Sequence, residues 1–138
     1  MEKRKVRVLI ADDEDHIRSL ISLILTSLGA DVIAEAADGV QALSLYKQHQ
    51  PDMVMLDINM LKLDGIAVLK QIMAINPNTL AVMLTWLNAI DVVKECIDNG
   101  AWNYLLKDST AEELHMEISS TWAEYMAAIS EARKSCVE

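Results

Sequence analysis

Cysteine is scarce in this sequence, with two in 138 residues. Cys96 and Cys136 lie far apart and match no metal-ligand spacing. That excludes a disulfide scaffold and a cysteine-held metal, and both are read as free thiols in a reducing, cytoplasmic setting. Positive charge is also short: 12 Lys and Arg against 21 Asp and Glu leave a net charge of −9. This is the wrong sign for gripping a phosphate backbone. The only tight basic cluster, Lys3, Arg4 and Lys5, reads as a solvated N-terminal tail, so direct nucleic-acid binding by this chain is not expected. No apolar run approaches the ~20 residues that a membrane helix needs. The first one, Val6–Ala11, is interrupted by Arg7 and stopped by acids, which no secretory signal core tolerates. There is no low-complexity linker and no internal repeat.

What is present is apolar sequence, 52% of the chain, cut into pieces of two periods. Val6–Ala11, Val32–Ala36, Met53–Leu56, Leu80–Leu84 and Trp102–Leu106 are runs of strand length. Between them the spacing turns helical. Ile17, Leu20, Ile21, Ile24 and Leu28 mark one helical face that stops at Gly29. Asp38–His49 ends before Pro51 and Ile66–Ile75 before Pro77. Ala89–Asn99 stops at Gly100. A last helix begins at Ser109 or Thr110, each followed three residues later by a glutamate, Glu112 or Glu113, as in a capping box. Alternating strands and helices in this order predict an α/β fold, a doubly wound five-stranded parallel sheet with helices on both faces. Such near-continuous apolar strands fit burial on both sides. A chain of this length fits one domain, able to bury roughly 68–70% of its unfolded surface.

Residues 1–120 are read as the domain, and 121–138 as an extension of the last helix or a linker. There Ile118, Trp122, Tyr125, Ile129, Ala132 and Cys136 recur in steps of four and three, as in a short coiled-coil seam. Such a seam would pair two subunits or lead into an output domain; a solvated tail is the other reading.

The strand ends carry the chemistry. Asp12 and Asp13 close the first run, Asp57 the third, Thr85 the fourth and Lys107 the fifth. In an open parallel sheet the carboxyl ends of the strands share one crevice, where such folds place their sites. Three carboxylates, a hydroxyl and an ammonium gathered there suit a divalent cation and a phosphoryl group. Carboxylates about 4 Å apart repel by ~4 kcal/mol at an effective dielectric near 20. Mg²⁺, which takes carboxylate oxygens and water, relieves that cost. One carboxylate can then act as a nucleophile towards phosphorus, with Lys107 and Thr85 meeting the phosphoryl oxygens. Neutralising Asp13 is expected to stabilise the metal-free protein by easing the repulsion.

The residues also match a family. From about Val6 to Ser120 the chain resembles the receiver domains of two-component response regulators. The matching pieces are Ile10-Ala11-Asp12-Asp13-Glu14, Leu56-Asp57-Ile58-Asn59-Met60, Leu63-Asp64-Gly65, Leu84-Thr85, Gly100-Ala101 and Tyr104-Leu105-Leu106-Lys107, all in order. The resemblance implies a flavodoxin-like (βα)5 receiver fold and a phosphoacceptor switch rather than an enzyme. It implies that Asp57 is phosphorylated by a partner histidine kinase. Mg²⁺ would be held by Asp13, Asp57 and the backbone carbonyl of Asn59, with Asp12 acting through water. Thr85 and Tyr104 would form the switch pair.

Three residues depart from the pattern. Trp86 stands where receivers carry a small residue after the switch threonine. Its indole is expected either to crowd phosphodonor and hydrolytic water at the mouth, beside Asn59, or to fold sideways over the following helix. Leu61 and Asp108 replace common prolines. Leu105-Leu106-Lys107-Asp108 resembles the receivers attached to helix-turn-helix output domains. No such domain is in this sequence, so the chain is read either as a piece of a longer regulator or as one that stands alone.

Other functions fit less well. An aspartate-nucleophile phosphohydrolase needs an acid two residues after the nucleophile, where this chain has Asn59. A flavodoxin-like cofactor binder needs backbone amides and hydroxyls for phosphate in its first loop, where Asp12, Asp13, Glu14 and Asp15 would repel it. A receiver that has lost phosphorylation and serves as a constitutive interaction module rests on Trp86 alone.

Overall fold

All five apolar runs form strands, with ends shifted by a residue or so. The computed structural model describes residues 5–86 and 89–136, without the side chains at 129 and 132–136. The strands are β1 (Arg7–Ala11), β2 (Asp31–Ala36), β3 (Met53–Asp57), β4 (Leu80–Thr85) and β5 (Asn103–Leu106). The helices are α1 (Asp15–Ser27), α2 (Gly39–His49), α3 (Gly65–Ile75), α4 (Ile90–Asp98) and α5 (Ala111–Cys136). The strands pair in parallel in the order β2-β1-β3-β4-β5. The winding reverses between β1 and β3, and the crevice of such a sheet opens above that switch point.

The sheet is covered on both faces, as continuous apolar strands require. Leu9, Val54, Leu56, Ala81 and Met83 pack on one side against α2, α3 and α4 through Tyr46, Val68, Leu69, Ile72 and Cys96. Val8, Ile10, Met55, Val82 and Leu84 pack on the other against Ile17, Ile21 and Leu25 of α1 and Leu114 and Ile118 of α5. β3 and β4 are buried along their whole length, while the edge strand β2 is exposed or half-buried at all but Ala36.

Local signals place the helix ends. Asp38 and Asp64 cap α2 and α3 by accepting from the Gln41 and Ala67 amides, satisfying donors that the first turn leaves orphaned. At α5 the capping box falls on Thr110: its hydroxyl meets the Glu113 amide and the Glu113 carboxylate meets the Thr110 amide. Ser109, the other candidate, instead donates its amide to the Leu106 carbonyl.

The long α5 is fastened further than its first turns. Asn103 donates to the Thr121 hydroxyl at 3.0 Å, and the Tyr125 hydroxyl donates to the Asn78 carbonyl at 3.0 Å. The Tyr125 ring also meets Trp102 edge-on, with centroids 5.8 Å apart. Trp122 and Tyr125, read from the sequence either as the start of a coiled-coil seam or as part of a solvated tail, face their own domain instead. The rest of that pattern, the side chains of Ile129, Ala132 and Cys136, lies outside the described residues. Among the described residues, no helix is long and apolar enough to cross a membrane.

Candidate functional site

The exits of β1 and β3 lie side by side because Ala11 pairs with Leu56 in register. Asp12, the residue after β1, is fully buried, and Asp57, the last of β3, is 3% exposed. Asp13 stands at the open edge. Oxygens of the three carboxylates lie within 4.8 Å of one another. Backbone contacts hold the first loop: the Asp12 amide donates to the Ala36 carbonyl. Arg18 donates to the Asp12 carbonyl at 2.6 Å, and the Glu14 amide donates to Asp12 Oδ1 at 2.8 Å. On the other side the Asn59 amide reaches Asp57 Oδ1 at 3.2 Å. A glycine is needed at Gly65, where a Cβ would stand 2.0 Å from the Asp57 carbonyl oxygen. Without a side chain there, α3 starts directly against the end of β3.

Lys107 completes the cluster. Its amide donates to the Thr85 carbonyl at 2.8 Å, continuing the β4–β5 ladder one residue past the strand. Its ammonium, on a residue 6% exposed, lies 2.8 Å from Asp12 Oδ2, 3.0 Å from Asp57 Oδ2 and 3.1 Å from Glu14 Oε2. Asp12 Oδ2 is buried and faces the Lys107 ammonium at 2.8 Å; among the described residues no other group compensates it.

One ammonium does not balance these acids. Burial raises the Asp57 carboxyl to about 6, and repulsion from Asp12 adds to it, against the opposing pull of Lys107. Burial likewise raises Asp12, with Lys107 and the Glu14 amide pulling it down. For Lys107 burial works to lower the pKa, but the bonds to Asp12 and Asp57 outweigh it and hold the ammonium above its ordinary value. An excess of buried negative charge, presented entirely on oxygen, fits a hard divalent cation such as Mg²⁺. Asp12, Asp13 and Asp57 are the residues that could hold it.

Thr85 ends β4, 3% exposed. With Asn59, Asp64 and Val92 it lines a cavity of about 250 Å³ on the α3–α4 side of the crevice. Tyr104 is half-buried on β5, opposite Met83 and two residues before Leu106, the register partner of Thr85. Thr85, Lys107 and the three acids thus share one crevice, Asn59 stands exposed at its mouth, and Tyr104 is set back along β5.

Trp86 turns towards the pocket rather than over α4. Its indole N–H donates to Glu14 Oε2 at 3.0 Å, and the Lys107 ammonium lies 5.9 Å from the ring centroid, within cation–π range. Glu14 is the contact at this crevice that the sequence pattern does not single out. It was visible as the third acid after the first strand, but nothing local indicates that it would bond residues 72 and 93 positions away.

Comparison with known proteins gives the family. A family model described as the response regulator receiver domain matches residues 8–119. The chain is 36% identical to the chemotaxis protein CheY of Bacillus subtilis, over 83% of this chain and 96% of that one. It is 39% identical to YxjL of the same organism, an uncharacterized transcriptional regulatory protein, over 83% of this chain but 53% of that one. The chain thus spans nearly all of one such relative and about half of another. Among solved structures it resembles the CheX–CheY–BeF3–Mg²⁺ complex of Borrelia burgdorferi, with TM-score 0.79, 34% identity and coverage of 85% and 89%. It also resembles the receiver domain of the putative response regulator NarL of Mycobacterium tuberculosis, with TM-score 0.76, 31% identity and coverage of 86% and 96%.

Proposed function

The chain belongs to the response regulator receiver family, and from that premise we propose that it is a phosphoacceptor switch whose acceptor is Asp57. The observation that carries this reading is the placement of Asp57: buried, 3.0 Å from the Lys107 ammonium, and crowded by Asp12 and Asp13. A carboxylate so placed is aimed into the crevice with a cation ready beside it. In the proposed transfer an Asp57 oxygen bonds to phosphorus as the bond to the phosphohistidine nitrogen of a histidine kinase breaks. The imidazole, protonated on its other ring nitrogen, keeps that electron pair and leaves as neutral histidine. Lys107 and the Thr85 hydroxyl then meet the phosphoryl oxygens, stabilising charge that the transfer brings into a water-poor site.

Mg²⁺, when bound, neutralises charge between the carboxylates and the phosphoryl oxygens. Its proposed ligands are Asp13, Asp57 and the Asn59 carbonyl, with Asp12 acting through water. Thr85 and Tyr104 form the proposed switch pair, Thr85 moving towards the phosphoryl group and the Tyr104 ring turning inward. The receiver unit is assigned to residues 1–120, and 121–138 to an extension of the last helix. A cytoplasmic setting and an output partner, either a downstream domain or a second subunit, belong to the same reading.

Incubation with acetyl phosphate and Mg²⁺, followed by intact-mass measurement, tests it. One phosphoryl group is expected on the wild type, dependent on Mg²⁺, and none on Asp57→Asn. No adduct, or an equal adduct on the variant, would contradict the switch.

Trp86 supports a second reading, a receiver whose phosphorylation is impaired and which acts as a constitutive interaction module, because its ring lies at the mouth of the crevice. The mass experiment separates the two. If the ring only restricts access, Trp86→Ala is expected to shorten the lifetime of the phosphorylated protein several-fold, measured as loss of the adduct after donor removal. An unchanged lifetime would leave Trp86 without a role in access.

A further inference from the structure

We propose that Glu14 is a positioning residue that holds the Trp86 indole across the mouth of the acidic pocket, and that this contact sets how fast a phosphodonor enters. The proposal deepens the phosphoacceptor reading of Asp57 and rests on it. One Glu14 oxygen, Oε2, receives both the Trp86 indole N–H at 3.0 Å and the Lys107 ammonium at 3.1 Å. It thereby ties the exit of β1 to the exits of β4 and β5.

The anchor itself is rigid. The Glu14 amide is bonded to Asp12 Oδ1, and its carbonyl receives the Ile17 and Arg18 amides at the start of α1. The side chain, 30% exposed, is the part that reaches over the crevice. Trp86 by contrast is 47% exposed and lies one residue beyond β4. The indole is only partly covered, and the charge-assisted hydrogen bond to Glu14 is a directional contact that can fix its orientation. The ammonium beside the ring adds a weaker attraction of the same sense.

The shared oxygen makes the contact responsive. A phosphoryl group at Asp57 would compete for the same ammonium that Glu14 holds. Glu14 would then keep the indole as its sole remaining donor of the two. Before phosphorylation Lys107 and Trp86 both converge on Glu14, with the indole across the mouth. A small donor would be slowed by the ring, and a kinase domain would have to displace it on docking.

The first test uses the unphosphorylated protein. Glu14→Ala is expected to increase acrylamide quenching of tryptophan emission, and to have no such effect in a Trp86→Phe background. Glu14→Gln, whose amide oxygen still accepts the indole N–H, should stay close to the wild type. The second test is the rate of phosphate uptake from acetyl phosphate with Mg²⁺. Glu14→Ala and Trp86→Ala should each speed uptake several-fold, and the double variant should match the single ones, as for residues acting through one contact. Unchanged quenching in Glu14→Ala would overturn the proposal. So would multiplying rate effects, or a Glu14→Gln variant as fast as Glu14→Ala, which would assign the effect to charge. If no form takes up phosphate, the phosphoacceptor reading fails together with the claim on entry, while quenching still decides whether Glu14 holds Trp86.

Discussion

Lys107→Met is expected to destabilise the metal-free protein at pH 7 by roughly 3 kcal/mol, the scale for removing one partner from a buried ion cluster. Methionine keeps most of the aliphatic stem, so the change isolates the charge. The ammonium lies within 3.1 Å of three carboxylates, and for Asp12 Oδ2 it is the only compensation described. Without it, Asp12 and Asp57 face each other in a buried site with nothing of opposite sign between them. The loss should shrink as pH falls, because the acids can then protonate instead of repelling. Urea unfolding without Mg²⁺ at pH 5 and pH 7 measures this. A loss below about 1 kcal/mol, or one independent of pH, would show that solvent already screens the cluster.

Neutralising the acceptor should do the opposite. The Asp57 carboxyl is raised from 3.8 to about 6 in the folded protein, so the fold favours its protonated form. This group costs no stability below the unfolded value. The cost grows as pH rises from about 4 to about 6 and is complete at pH 7. A shift of that size corresponds to on the order of 2–3 kcal/mol. Asp57→Asn is therefore expected to raise Tm at pH 7 and to leave it almost unchanged near pH 4. Mg²⁺ should stabilise the wild type and have little effect on the variant, since ligand binding to the folded state adds stability only where the site is intact. A lower Tm for Asp57→Asn at pH 7 would mean that its bond to Lys107 outweighs the repulsion.

The same geometry moves an expectation drawn from the sequence. Asp13 is a carboxylate whose neutralisation is expected, from the sequence, to ease the repulsion in the metal-free protein. It is exposed, and water screens it. Asp57 and Asp12 are the buried pair, so the larger relief belongs to Asp57.

The architecture and the gathering of the site were legible for one physical reason. In a doubly wound sheet, position along a strand is position in space, so residues that end apolar runs meet at one edge. Asp12, Asp57, Thr85 and Lys107 could be brought together from 138 residues of sequence without knowing a single contact. Caps were legible to within a residue, because Ser109 and Thr110 offer the same hydroxyl-to-glutamate spacing and only packing selects Thr110. Side-chain direction beyond the strand ends was not legible. Trp86 had two open orientations, and its choice depends on Glu14, which lies on a different strand exit. The inward face of Trp122 and Tyr125 was hidden for a similar reason. Helical spacing identifies a shared face but not whether a neighbouring strand or a second chain covers it, and Trp102 and Asn78 settle that for Tyr125.

The measurement closest to the central claim is chemical trapping of the acceptor. The protein is incubated with acetyl phosphate and Mg²⁺, quenched with borohydride, which reduces an acyl phosphate to the alcohol, and mapped by peptide sequencing. The account predicts homoserine at position 57 and at no other acidic position. Reduction at Asp12 or Asp13, or no reduced residue in a protein that carries added phosphate, would contradict it.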